Sequence, residues 1–126
     1  MRWKTCGVIA FILFAAAPAF GASKKDDCFK ADDQDRVIAA CTRILNDRGE
    51  SQGNRVGAYN NRGNAWREKG DLDRAIADYN EAIRLDPKYA NAYIVRGDAW
   101  DAKGDHDRAI ADYNEAIRLD PKYANA

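Results

Sequence analysis

The chain has 126 residues, 46% of them apolar and 32% charged, the balance of one soluble globular domain rather than of a disordered polymer. Its 20 basic and 20 acidic side chains cancel, so no overall field draws it to nucleic acid or to an anionic membrane.

At the N-terminus, Arg2 and Lys4 precede an uncharged run from Thr5 to Phe20 that includes Val8, Ile9, Phe11, Ile12, Leu13 and Phe14. This is the pattern of a secretory signal peptide, expected over residues 1–21. Spanning a bilayer takes roughly 20 apolar residues, more than this run supplies, so no membrane insertion is expected after its removal. The small residues Ala19, Gly21 and Ala22 suit cleavage after Gly21 or Ala22, which leaves 18 basic against 20 acidic side chains. The expected location is periplasmic or secreted. Cys6 leaves with the signal, and Cys28 and Cys41 remain as an even pair in a compartment where disulfides persist.

Residues 22–48 echo a later part of the chain. Cys28–Cys41 (CFKADDQDRVIAAC) aligns with Trp66–Tyr79 (WREKGDLDRAIADY), matching Asp33, Asp35, Arg36, Ile38 and Ala39 to Asp71, Asp73, Arg74, Ile76 and Ala77 at an offset of 38. A degenerate helix hairpin is expected there, followed by a loop over Asn46–Arg55, where Gly49 and Gly53 lie.

The stretch over 56–89 carries two helical patterns. Val56, Tyr59, Gly63 and Trp66 recur at helical spacing, and Gly70 supplies a sharp exit. Leu72, Ala75, Ile76, Tyr79, Ala82 and Ile83 then mark one face of a second helix. Asp71 and Asp73 stand where carboxylates satisfy free amides, and Pro87 ends the run. The small Gly63 and Ala75 are expected where the two helices approach most closely. Residues 90–123 repeat this plan. Gly70–Ala92 and Gly104–Ala126 are the same 23 residues, 34 apart, except for Leu72 against His106. A fixed period of this length marks a stacked repeat whose units bury their apolar faces against one another.

Tyr59, Gly63, Trp66, Ala75, Tyr79, Ala82 and Pro87, repeated as Tyr93, Gly97, Trp100, Ala109, Tyr113, Ala116 and Pro121, resemble the tetratricopeptide repeat family. The resemblance implies an all-α solenoid of antiparallel helix hairpins, two full repeats after one degenerate N-terminal hairpin. Arg62 and Arg96 depart from it by standing where leucine is common, and an ion pair to Asp78 or Asp112 is expected. In a complete repeat the positions of Trp66 and Tyr79 both face the helix seam. Cys28 and Cys41 occupy those positions in the degenerate copy, which brings them within disulfide range.

Candidates for chemistry are few. His106 is the only histidine and falls in a turn, and neither a nucleotide-binding glycine loop, a GxSxG elbow nor HExxH is present. No catalytic residue, metal or cofactor is expected. What the resemblance implies is a concave groove lined by the first helix of each unit. Transferred by position, its residues are Asn60, Asn64, Arg67 and Glu68, then Asn91, Ile94, Asp98, Asp101 and Ala102. These amides and charges suit an extended peptide or protein partner. The family's clamp for peptide C-terminal carboxylates needs lysines and an arginine, whereas only Arg67 is basic here. Tyr113, Ile117 and Tyr123 on the last hairpin are expected to be partly bare. Self-association through that edge, in this chain or in a fragment of a longer array, is the alternative to a groove-binding scaffold.

Overall fold

A computed structural model describes residues 24–125; the expected signal peptide lies outside them. Six helices follow in order: α1 (Lys24–Lys30), α2 (Gln34–Asn46), α3 (Gln52–Glu68), α4 (Leu72–Leu85), α5 (Ala90–Ala102) and α6 (His106–Leu119), then a 3-10 turn at Pro121–Asn125. Among the described residues there is no strand, and no helix is long and apolar enough to cross a membrane.

Local chemistry sets the helix boundaries. The carboxylates of Asp71 and Asp105 accept the backbone N–H groups of Arg74 and Arg108 at 3.1 and 3.2 Å, and Asp33 caps α2 in the same way. Such caps are each worth about 1 kcal/mol. Gly70 and Gly104 adopt φ of +83°, the left-handed geometry that a side chain would strain, and so end α3 and α5 sharply. The Asn46–Arg55 loop is shorter than its glycines imply. Ser51 caps α3 by accepting from Asn54 N–H at 3.2 Å, so Gln52–Arg55 form a first helical turn that tolerates Gly53.

Consecutive helices pack as antiparallel neighbours. Among the first helices of the hairpins, α1 touches α3 and α3 touches α5, whereas the second helices α2, α4 and α6 do not touch one another. The stack therefore curves, with α1, α3 and α5 on its inner side. The molecule is an all-α solenoid.

Small residues make the seams. Ala58 and Ala65 of α3 bury against Val37, Ala40, Cys41 and Ile44 of α2, while Ala99 of α5 joins Ala75, Ile76 and Tyr79 of α4. Gly63 lies under an aromatic ring rather than against the backbone of its partner helix. A Cβ there would stand 2.5 Å from Tyr79 Cε1, and the equivalent atom at Gly97 would stand 2.7 Å from Tyr113. Arg62 donates to both carboxylate oxygens of Asp78 at 2.8 and 2.7 Å, and Arg96 does the same to Asp112 at 2.8 and 2.6 Å. These forks fill the leucine position with a charge whose buried partner is matched. The Asp78 contact also holds the Arg62 guanidinium above its ordinary pKa.

In the first hairpin the Cys28 and Cys41 sulfurs are bonded, with Cα atoms 4.8 Å apart. Both cysteines are buried in the α2–α3 cluster, so the bond ties the seven-residue α1 to the core.

Candidate concave groove

The inner face presents a polar strip built across two repeats. Tyr79, rising from α4, donates its hydroxyl to Asn64 Oδ1 of α3 at 2.7 Å. One repeat later Tyr113 of α6 donates to Asp98 Oδ1 of α5 at 2.8 Å, and Arg67 of α3 reaches Asp98 Oδ2 at 3.2 Å. Each second helix thus orders a polar group on its own first helix, and Arg67–Asp98 links the first helices of neighbouring hairpins. Burial, reinforced by the bond to Asp98, pushes the Tyr113 phenol up to about 12, so it remains a donor through neutral pH. Burial raises Tyr79 further still.

The residues transferred from the family fall into different environments. Asn64, Arg67 and Asp98 come together in this strip. Ile94 borders a cavity of 390 Å³ shared with Tyr113, Ala116, Ile117, Tyr123 and Ala124. Asn91 is partly buried at the start of α5. Asp101 faces His106 Nδ1 at 2.6 Å, pairing with the first residue of α6. Glu68 lies 3.8 Å from Arg67, and Ala102 is exposed at the end of α5.

Asn60 corrects the expectation. It is 3% exposed, and its Oδ1 has no hydrogen-bond partner. Its repeat counterpart, Ile94, borders the open cavity; in the first unit α3 touches α5, which runs on from Ala90 and closes the equivalent space.

Two contributors, Phe29 and Asn61, escaped the sequence reading. Phe29, 43% exposed, lies over Gly57, where a Cβ would stand 3.0 Å from the ring. With Asn61, Asn64 and Glu68 it lines a 200 Å³ depression between α1 and α3. The signal was available: the 38-residue offset that sets Cys28 on Trp66 also sets Phe29 on Arg67.

Among the described residues no group of three or more His, Cys, Asp or Glu side chains could hold a metal. The helix hairpins, their 34-residue spacing and the curved inner face coincide with a match of the tetratricopeptide repeat profile to residues 60–124. The chain belongs to the tetratricopeptide repeat family. No curated relative matches it. Among solved structures, this tetratricopeptide repeat chain is similar to the crystal structure of MamA, with 26% identity and a TM-score of 0.63 over 75% of this chain and 53% of MamA. It thus spans about half of the MamA chain. The first tetratricopeptide repeat domain of Spaghetti (RPAP3), bound to the HSP90 peptide SRMEEVD, superposes with a TM-score of 0.69 at 26% identity, over 81% of this chain and 80% of that one. The shared fold makes this a protein-interaction module in the general sense.

Proposed function

We propose that this protein is an exported, non-catalytic scaffold that holds an extended peptide or protein segment along α1, α3 and α5. The observation that carries this reading is the Tyr79–Asn64 and Tyr113–Asp98–Arg67 network. It holds polar side chains of the inner face in place before a ligand arrives, which lowers the entropy cost of binding. The relative bound to an HSP90 peptide supports the mode, but the ligand chemistry differs. Arg67 is engaged by Asp98, while Glu68 and Asp101 stay well exposed. This balance favours a neutral or basic segment over an acidic one such as SRMEEVD. The Cys28–Cys41 bond fits an oxidising, exported compartment.

A synthetic peptide library screened against the purified protein tests this. Basic and neutral segments should be selected, and the double variant Asn64→Ala, Asp98→Lys should lose about tenfold or more in affinity, the scale of a charge-assisted hydrogen bond. Circular dichroism should show unchanged helicity. Unaltered affinity in the variant would remove the groove from consideration.

A further inference from the structure

The depression between α1 and α3 lies where the inner face departs most from the repeat pattern. Its floor is apolar, made by Cys28, Val37 and Ala65 of the first core cluster, and its wall is the ring of Phe29. The bond from Cys28 to Cys41 anchors the residue next to Phe29. The Cε1–Cζ edge of the ring rests on Gly57, where a Cβ would stand 3.0 Å away, so the ring is positioned by a missing side chain. It is nonetheless 43% exposed, and much of it stays open to a ligand.

The rim is polar and leans negative. Neither the Gln34 nor the Asn61 side-chain amide has a hydrogen-bond partner among the described residues. Among those residues Glu68 is the only charged one lining the space, and its side chain is 60% exposed. Arg67 lies 3.8 Å from Glu68 but is shared with Asp98, so these three carry one positive against two negative charges. Other cations nearby are engaged as well: Lys30 with Asp26, Arg36 with Asp27 and Lys69 with Asp35. The start of α2 beside Gln34 offers an anion no seat, because Asp33 already accepts the N–H groups of Asp35 and Arg36.

At 200 Å³ the depression is smaller than the roughly 300–1,000 Å³ of pockets that take drug-sized molecules, so its occupant is a single side chain. An aliphatic side chain would cover the floor but would take water from Gln34, Asn61 and Glu68 without replacing it. A lysine would meet Glu68 only as a point charge. A guanidinium is planar, stacks on an aromatic ring and carries five donors for carboxylate and amide oxygens. We propose that this depression is a specificity pocket for an arginine side chain of the bound segment, with the guanidinium stacked on Phe29 and donating to Glu68 and Asn61. The proposal rests on the reading of the inner face as a ligand groove, and it names the residue that the α1 end of that groove selects.

The probes are the N-acetyl, N-methylamide derivatives of arginine, lysine, citrulline and leucine, titrated into the isotope-labelled, disulfide-bonded protein and followed by NMR. The arginine derivative should saturably shift the Asn61 side-chain amide and the Phe29 and Glu68 backbone amides. Citrulline, of the same shape without the charge, should bind about threefold or more weakly. Phe29→Leu and Glu68→Gln, both at exposed positions, should each weaken the arginine derivative about two- to fivefold while leaving helicity unchanged. In the peptide library one position should be enriched in arginine, and that enrichment alone should vanish in the two variants. The proposal falls if lysine, citrulline or leucine binds as well as arginine, if the shifts lie elsewhere, or if neither variant weakens binding. Library segments that bind with no arginine preference would remove the pocket and leave the groove reading standing. An arginine derivative that binds here while no library segment binds would keep the pocket and overturn the extended-segment reading.

Discussion

Asn60 buries an amide whose oxygen has no hydrogen-bond partner. A buried acceptor left unpaired costs about 1–3 kcal/mol, while an apolar side chain of similar size at the same position costs nothing in desolvation. Asn60→Leu is therefore expected to raise stability by about 1 kcal/mol or more, read as a higher urea midpoint with an unchanged slope. A lower midpoint would mean that the amide is satisfied by a water or by a rearranged neighbour. The residue type was legible in the sequence but its role was not. Asn60 and Ile94 hold the same place in the repeat, and only the presence or absence of a helix alongside makes one a core residue and the other a cavity wall. The opposite held for Arg62 and Arg96. A charge at a position that the repeat pattern makes apolar demands a buried partner, and Asp78 and Asp112 were already sixteen residues away in the sequence.

At the scale of elements, α1 is the least self-sufficient. Seven residues are too few to sustain a helix in water, and nucleation alone makes such a segment unfavourable. Its position depends on Cys28–Cys41, which closes a short loop over 13 residues of separation. In the chain-entropy account such a cross-link contributes about 3 kcal/mol. The double variant Cys28→Ala, Cys41→Ala should lose roughly that amount in urea denaturation. Limited proteolysis should then cut first near α1, and resistance equal to wild type would show that packing alone holds it. The alignment that exposed the degenerate hairpin also indicated why these thiols meet. Trp66 and Tyr79, the residues at the corresponding positions, share one apolar cluster in the complete repeat. Loss of α1 would also remove Phe29 from the groove, so an element-scale change would be felt at the site.

For the molecule as a whole, a solenoid's stability is a sum over units and their junctions, not the property of one central core. Among the described residues, helices α3 and α4 have packed neighbours on both sides, whereas α6 has α5 on one side and the 3-10 turn on the other. Amide hydrogen exchange should be slowest in α3 and α4 and measurably faster in α6, even though α4 and α6 differ by one residue. Equal protection would mean that the described stack opens as a single unit.

That pair of helices separates what the sequence determined from what it left to the tertiary structure. LDRAIADYNEAIRL and HDRAIADYNEAIRL carry the same apolar spacing, the same capping aspartate ahead of them and the same proline after them. The sequence alone therefore specified two matching helices, their ends and their 34-residue spacing, because capping, periodicity and turn geometry act over a few neighbouring residues. It did not specify that Ile76 would be 5% exposed and Ile110 56%, or that Tyr79 would be sealed while Tyr113 borders a cavity. Burial is a property of what lies alongside, and in a stacked repeat that neighbour is supplied by another unit. Identical segments thus acquire different chemistry, one as core and one as surface.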